Sequence, residues 1–180
     1  MNLESRIQNS EFQKLVFIAL GSNLGNSREI IFQTIARLQQ FSSLPLLKSS
    51  LWRTTPVDCP PDSRPFVNTV IGFTPFPNET PESLLKKLQQ LEKEFGRQPK
   101  KILNEPRPLD LDLIAFGNEI RATEKLTLPH PRAHERRFVL QPLSEIAPDL
   151  ILPGQKKTVH QLLEALKTNE VLTRLGDAIT

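Results

Sequence analysis

Proline clusters divide this chain and limit where its helices and strands can lie. Eleven of the sixteen prolines gather in the stretches TTPVDCPPDSRP, TPFPNETP, EPRP and LPHPR. Proline lacks a backbone donor and resists both helix interiors and central strands, so each stretch is expected to be a loop. The regular elements must therefore lie in the segments between these loops.

The patterns between the loops predict the order β-α-β-β-α-β. Apolar runs and alternation predict strands at 14–20, 46–54, 65–74 and 110–116, with a short return strand near Glu119-Ile120. Helices are predicted from a Ser27 cap to about 41, from Thr80-Pro81 to a Gly96 cap, and at 159–167. This order indicates an α+β, ferredoxin-like fold, in which a mixed or antiparallel sheet carries helices on its faces as three α-β-α layers.

Length and composition are those of a soluble globular protein. The 180 residues suit a single domain, expected at 14–168 between an N-terminal extension (1–13) and a C-terminal tail (169–180). The longest apolar run, 15–20, is far shorter than the roughly 20 residues of a membrane span, and the N-terminal stretch lacks the apolar core of a secretory signal. With one cysteine, Cys59, no internal disulfide can form. We expect a cytoplasmic protein without a membrane partner.

The segment PRPLDLDLIAFG at 106–117 places two carboxylates on one face of a strand. Because strand side chains alternate, Asp110 and Asp112 share a face about 6.6 Å apart along the chain. Like charges so close repel unless a cation lies between them, and Mg²⁺ typically binds one or two carboxylates together with substrate phosphates. The short Asp-x-Asp pattern is also common on ordinary exposed strands, so its meaning depends on its surroundings.

Basic residues flank this strand in the sequence. They lie in RQPKKILNEPR (97–107) and RAHERR (132–137), although the net charge of +3 is too small by itself to indicate nucleic-acid binding. Solvated loops would also explain two basic blocks. Carboxylates for a metal beside guanidinium groups for phosphate oxygens are nevertheless the groups that phosphoryl transfer uses, and no P-loop motif is present.

Five motifs together closely resemble the 6-hydroxymethyl-7,8-dihydropterin pyrophosphokinase family of folate biosynthesis. They are GSNLG (21–25), WRTTPV (52–57), FVN (66–68), PRPLDLDLIAFG (106–117) and LPHPRAHERRFVLQPLSEIAP (128–148). The resemblance covers roughly residues 15–155. It implies an ATP- and Mg²⁺-dependent diphosphotransferase that moves pyrophosphate from ATP to the pterin hydroxymethyl group, giving the diphosphate ester and AMP. It also fits a monomer that acts on small molecules and not on nucleic acid.

The resemblance also implies residue roles. Asp110 and Asp112 would hold two Mg²⁺ ions, and Arg97 and Arg107 would clamp phosphates. The nucleotide would be contacted by Gln89, Glu92, Leu113, Lys125, Leu126, Thr127, His130 and Arg136. The pterin would lie between Phe66 and Phe138, with Asn68 at its hydrogen-bonding edge and contacts from Gly21, Thr54, Thr55 and Val57. Two aromatic faces and an amide suit a flat polar bicycle, although core packing would equally explain either phenylalanine.

Four positions depart from the family pattern. Asn104 and Glu105 stand where an aromatic-glycine pair is usual, and Pro99 stands where another arginine is common. Phe66 replaces a common tyrosine, which keeps the ring and loses its hydroxyl. We expect altered affinities and loop motion, without loss of the reaction.

Other functions remain compatible with the same residues. A nucleotidyltransferase could use Asp-x-Asp to activate a 3′-hydroxyl and would release pyrophosphate instead of AMP. A basic nucleic-acid-binding module would use the two basic segments, although paired acids interrupt them and a series of stacking aromatics is lacking. A non-catalytic relative would bind pterin without turnover.

Overall fold

The computed structural model describes residues 12, 14–56, 59–60, 62–99 and 105–176. Within these residues the strands are β1 (Val16–Ser22), β2 (Leu47–Lys48), β3 (Leu51–Thr54), β4 (Phe66–Phe73), β5 (Asp110–Phe116), β6 (Arg121–Ala122), β7 (Thr127–Leu128) and β8 (Leu172–Gly176). The helices are α1 (Ser27–Leu38), α2 (Pro81–Glu94), α3 (Arg137–Ile146) and α4 (Val159–Ala165), with 3₁₀ turns at Gln39–Phe41 and Ala133–Glu135. None of these helices combines the length and apolar character that a membrane span requires.

The main sheet is antiparallel and has the strand order β5-β1-β4-β3-β8, with β2 also paired to β4. All seven residues of β1 are buried, because β1 lies between two strands and is covered on both faces. Burial on both faces explains why β1 reads as a continuous apolar run without alternation.

Helices cover both faces of the sheet, which confirms the predicted α+β fold with three layers. On one face, α1 and α2 pack through Ile31, Ile35, Leu38, Leu84, Leu88 and Leu91 against strand residues such as Ile18 and Leu111. On the other face, α3 and α4 pack through Val139, Leu140, Leu143 and Val159 against Phe17 and Val70. Each helix buries residues at helical spacing, as an amphipathic helix does on a sheet.

The helix boundaries follow the sequence signals with small changes. The predicted start of α2 is confirmed: Thr80 Oγ1 accepts a hydrogen bond from Ser83 N at 3.1 Å, and Pro81 is the first helical residue. The predicted Ser27 cap of α1 is wrong, because Asn26 Oδ1 accepts from Glu29 N and Ser27 is already helical. The α-helix ends at Leu38, and 39–41 form a 3₁₀ turn.

Other elements differ from the predicted pattern. The return strand is not at Glu119-Ile120; β6 begins at Arg121 and pairs with β7 in a separate two-stranded sheet. The segment predicted as one strand at 46–54 forms two strands, β2 and β3. Helix α3 was not predicted, because Pro142 lies inside it. Strand β8 pairs with β3, so the sheet continues beyond the boundary expected at residue 168.

Gly72 of β4 provides a test of the packing against β1. A Cβ atom at Gly72 would lie 2.9 Å from Cε1 of its cross-strand partner Phe17, whose ring is fully buried. Because that ring cannot move without disturbing the core, Gly72→Ala should lower the free energy of unfolding by about 1–3 kcal/mol, measured by urea denaturation. In a Phe17→Leu background the same substitution should cost less; an equal cost in both backgrounds would contradict this packing.

Candidate active site

An open cavity lies at one end of the main sheet, where β1, β3, β4 and β5 meet. Gly21 near the end of β1 pairs with Asn68 of β4 on one side and with Asp110 of β5 on the other. The cavity contains about 870 Å³ of empty space, part of it open to solvent. It is lined by Ala19, Leu20, Gly21, Thr54, Thr55, Cys59, Phe66, Asn68, Arg107, Asp110, Asp112, Arg132, Glu135, Arg136, Phe138 and Glu170.

Arginines surround the two strand carboxylates. Asp110 Oδ1 accepts a hydrogen bond from Arg97 Nη1 at 2.7 Å, and Asp110 Oδ2 accepts one from Arg107 Nη2 at 2.6 Å. Asp112 lies further from its nearest arginine, with Oδ2 at 3.5 Å from Arg136 Nη1. The two carboxylates therefore share a strand face but differ in compensation: Asp110 has two close ion pairs, whereas Asp112 has one long one.

Asp112 and His130 have shifted ionisation equilibria. Burial raises the pKa of Asp112, and the negative charge of Asp110 raises it further, while His130 and Arg136 oppose the change. Burial lowers the pKa of His130 in spite of the nearby Asp112, and Arg136 and Arg132 contribute to the lowering. His130 Nδ1 accepts from Arg132 N at 3.2 Å, so the neutral ring carries its proton on Nε2.

Glu92 joins α2 to the outer edge of β5. Its Oε1 accepts a hydrogen bond from Leu111 N at 2.7 Å and also contacts Arg97. Burial raises the pKa of Glu92 to about 7; Leu111 N and Arg97 oppose the shift, and Asp110 and Asp112 add to it. Glu92 thereby satisfies a backbone N–H donor on the open edge of β5 and helps to hold Arg97 against Asp110.

The GSNLG turn fixes the Pro-Arg-Pro corner before β5. Asn23 Oδ1 accepts from Arg107 N at 2.9 Å, and Asn23 N donates to the Arg107 carbonyl at 3.2 Å. The Arg107 guanidinium lies over the ring of Phe66, 5.4 Å from its centroid. The sequence analysis did not identify Asn23. An asparagine in a glycine-rich turn between a strand and a helix is ordinary, and nothing in the turn indicates a contact with a residue far along the chain.

The other part of the cavity has two aromatic rings and a fixed amide. Phe66 and Phe138 both line it, and the Arg136 guanidinium lies 5.5 Å from the Phe138 ring centroid. Asn68 is buried and donates from Nδ2 to Thr54 Oγ1 at 2.7 Å. A Cβ atom at Gly21 would lie only 2.8 Å from Asn68 Oδ1, so glycine at this position leaves room for the amide.

The structure brings most, but not all, of the predicted site residues together. Gly21, Thr54, Thr55, Phe66, Asn68, Arg107, Asp110, Asp112, Arg136 and Phe138 line the cavity, and Arg97 contacts Asp110 from a neighbouring one. Gln89, Lys125 and Thr127 are exposed outside it, while the Leu113 and Leu126 side chains are buried in the core and cannot face a ligand. Val57, Lys100, Lys101 and Asn104 lie outside the described residues.

Several cavity residues were not predicted. Arg132 and Glu135 lie in the second basic segment and could have been identified from it. Cys59 lies in a proline-rich loop, and Glu170 lies in the stretch that was assigned to the tail. Neither of the last two carries a local sequence signal, because the fold alone brings them to the cavity.

Comparisons with known proteins point to one family. The family model described as 7,8-dihydro-6-hydroxymethylpterin-pyrophosphokinase (HPPK) matches residues 17–148. The chain is 40% identical over 141 residues to the 2-amino-4-hydroxy-6-hydroxymethyldihydropteridine pyrophosphokinase of Haemophilus influenzae, covering 78% of this chain and 86% of that protein. It is 36% identical over 165 residues to the folic acid synthesis protein fol1 of Pneumocystis carinii, covering 91% of this chain.

Some relatives are much longer than this chain. The match spans 22% of the Pneumocystis carinii protein. The structure also resembles a crystal structure of Plasmodium falciparum HPPK-DHPS, with a TM-score of 0.67 and 12% identity, over 83% of this chain and 44% of that one. At that identity the likeness shows the fold alone.

The raised pKa of Glu92 predicts a specific pH dependence of stability. The folded state holds the Glu92 proton more tightly than the unfolded state, so stability is lost as the pH rises from about 4.5 to about 7. Glu92→Gln removes this ionisation. The free energy of unfolding of the variant relative to the parent should therefore increase across that window, by up to about 3 kcal/mol at about 1.4 kcal/mol per pKa unit.

Urea denaturation at pH 5 and pH 8 measures this difference. Glu94→Gln is the matched control, because Glu94 lies on the same helix, is exposed and pairs with Arg37. A Glu92→Gln variant whose stability relative to the parent is the same at both pH values would contradict the raised pKa.

Proposed function

The chain belongs to the 7,8-dihydro-6-hydroxymethylpterin-pyrophosphokinase family, and we propose that its cavity transfers pyrophosphate from ATP to the hydroxymethyl group of 6-hydroxymethyl-7,8-dihydropterin. Members of the family catalyse this transfer in folate biosynthesis. One observation carries the proposal: a single cavity contains two carboxylates flanked by arginines, two phenylalanine rings and a fixed amide.

The carboxylate pair fits Mg²⁺ as the metal of this reaction. Among the described residues, no group of three or more His, Cys, Asp and Glu side chains forms a metal site. Asp110 and Asp112 offer carboxylate oxygens as ligands. Mg²⁺ commonly binds one or two carboxylates in this way, while substrate phosphates supply other ligands. Burial beside Asp110 disfavours the charge on Asp112, which a dication would stabilise. When bound, two Mg²⁺ ions would neutralise charge on the ATP phosphates and the attacking oxygen.

Arg97 and Arg107 would bind phosphate oxygens beside the carboxylates. Both guanidinium groups already lie within hydrogen-bond distance of Asp110, and the Pro-Arg-Pro corner held by Asn23 limits the movement of Arg107. Planar guanidinium groups suit phosphate oxygens because they present parallel donors. Neutral His130 would donate a hydrogen bond from Nε2 to the nucleotide. The ATP site would be completed by Gln89, Glu92, Lys125, Thr127 and Arg136, with backbone groups of Leu113 and Leu126.

The pterin would bind between Phe66 and Phe138. Offset stacking contributes about 0.5–1.5 kcal/mol for each aromatic pair beyond the area that it buries. Because Thr54 Oγ1 holds the Asn68 amide nitrogen, Asn68 Oδ1 keeps one orientation toward the cavity edge near Gly21. A fixed amide distinguishes a polar heterocycle from an apolar one. Thr55 would add a backbone contact.

The reaction forms one bond and breaks another. The hydroxymethyl oxygen attacks the β-phosphorus of ATP, the bond from that phosphorus to the α,β-bridging oxygen breaks, and AMP leaves with the electron pair. The hydroxyl proton is lost, and Asp112, which lines the cavity, is our candidate acceptor. Among the cavity side chains that the structure describes, none is arranged as a strong general base, so we assign the main catalytic contribution to electrostatic stabilisation. We further propose that the protein acts as a cytoplasmic monomer without a nucleic-acid partner.

Asp112→Asn tests this assignment. The substitution keeps the size of the side chain and removes a charge that burial disfavours, so the melting temperature should be unchanged or higher. Without the carboxylate, turnover should fall at least about a thousandfold, because phosphoryl transfer depends on charge neutralisation. The measurement is chromatographic detection of AMP from ATP, Mg²⁺ and the reduced hydroxymethylpterin.

Asp149→Asn is the matched control, since Asp149 is exposed and lies outside the cavity. ATP with Mg²⁺ should raise the melting temperature of the parent and of this control more than that of Asp112→Asn. Near-parental turnover by a folded Asp112→Asn protein would refute the role of this carboxylate. Release of pyrophosphate instead of AMP by the parent would identify a nucleotidyltransferase.

A further inference from the structure

The carboxyl-terminal segment of the described chain reaches two walls of the cavity. Strand β8 pairs with β3, and just before β8 the carbonyl of Val171 accepts a hydrogen bond from Thr55 N at 3.2 Å. Val171 N in turn donates to Thr55 Oγ1 at 3.4 Å. Thr55 is one of the residues that we place at the pterin, so this segment is attached directly to the wall formed by the end of β3.

Glu170, the residue before Val171, is attached to a second wall, formed by the start of α3. It lines the cavity, and its Oε2 accepts a hydrogen bond from Phe138 N at 3.1 Å. Phe138 is the second residue of α3, and no side-chain hydrogen bond comes from Arg136 at the helix's own N-cap position. Glu170 therefore supplies, from 32 residues further along the chain, the acceptor that a local capping residue usually provides. Its negative charge also suits the positive end of the helix.

We infer that Glu170 is a positioning residue of the acceptor site, which holds the start of α3 so that the Phe138 ring faces the pterin. This inference rests on the proposed function. It also lies outside the family match, which ends at residue 148. Glu170 fixes the backbone nitrogen of Phe138, while the Arg136 guanidinium lies over the ring. The C-terminal segment thus bridges Thr55 and Phe138 and ties together two sides of the acceptor site.

The role predicts a selective kinetic effect. Stacking by Phe138 acts on the bound pterin in the ground state and in the transition state alike, so its loss should weaken pterin binding and leave kcat nearly unchanged. Arg97 and Arg107, which we assign to ATP phosphates, are held by Asp110 and should keep their geometry. Of the residues that we assign to ATP, Arg136 is the one at the start of α3, so ATP affinity should fall much less than pterin affinity. A hydrogen bond to a charged group is strong enough for roughly a tenfold change in pterin affinity.

Three variants of Glu170 separate positioning from charge and from general stability. Glu170→Ala removes the acceptor, and Glu170→Asp keeps the charge but withdraws it by one methylene. Glu170→Gln keeps an acceptor oxygen at the same reach. The KM for the pterin should rise about tenfold in the alanine variant, by a smaller factor in the aspartate variant, and less than about threefold in the glutamine variant. The KM for ATP and kcat should stay within about twofold.

Binding of the pterin in the presence of a non-hydrolysable ATP analogue, measured by calorimetry, should show the same order without relying on turnover. Glu164→Ala is the control, because Glu164 is exposed on α4 and pairs only with His160 in the described structure. If the alanine variant does not fold, the aspartate and glutamine variants still make the comparison.

The outcomes distinguish this inference from the proposed function. A parent protein that releases no AMP would overturn the proposed function itself. If the parent is active but its Glu170→Ala or Glu170→Asp variant keeps the parental KM for the pterin, the inference alone is overturned. A glutamine variant as impaired as the alanine variant, or an equal loss of affinity for ATP and pterin, would also overturn it.

Discussion

The repulsion between Asp110 and Asp112 is the interaction on which the rest of the site depends. Their positions two residues apart on β5 put both carboxylates on one face. The protein compensates the pair unequally, because Arg97 and Arg107 contact Asp110 closely, whereas Asp112 is partly buried with one long ion pair. The unequal compensation leaves a charge that the fold alone does not stabilise. In sites that bind phosphates together with a metal, such unfavourable electrostatic energy is present before binding, and the bound substrate and ion then relieve it.

The fold holds this arrangement through contacts to the backbone as well as through the ion pairs. β5 is an edge strand of the sheet, and Glu92 pairs its Leu111 N–H from α2. Asn23, directly after β1, holds the corner that carries Arg107. The pairing of β1 with β4 and β5 places the aromatic half of the cavity beside the carboxylate half. The two halves of the proposed reaction are therefore aligned by strand register, and the side chains only complete a geometry that the sheet defines.

Local signals in the sequence predicted much of this structure. The alternation in β5, the Thr80-Pro81 start of α2 and the layer order all depend on neighbours along the chain, and the structure confirms them. Contacts between distant segments could not be predicted in this way. Helix α3 contains Pro142, and a proline in a sequence usually indicates the end of a helix. The residues of β8 form a strand because they pair with β3, which their own sequence does not indicate. Asn23 and Glu170 act on residues 84 and 32 positions away, so no local pattern distinguishes them from ordinary turn and tail residues. For Leu113 and Leu126 the motif suggested a contact with the nucleotide, but their side chains are buried in the hydrophobic core.

The most direct test of the electrostatic account is a crystal structure with an ATP analogue that has a methylene at the α,β-bridge, with Mn²⁺ in place of Mg²⁺. Anomalous scattering then locates each metal ion independently of the protein atoms. The account predicts metal peaks within ligand distance of both Asp110 and Asp112, bridged to the nucleotide phosphates, with Arg97 and Arg107 on phosphate oxygens. A nucleotide bound elsewhere, with both carboxylates still paired only to arginines and no metal beside them, would contradict it.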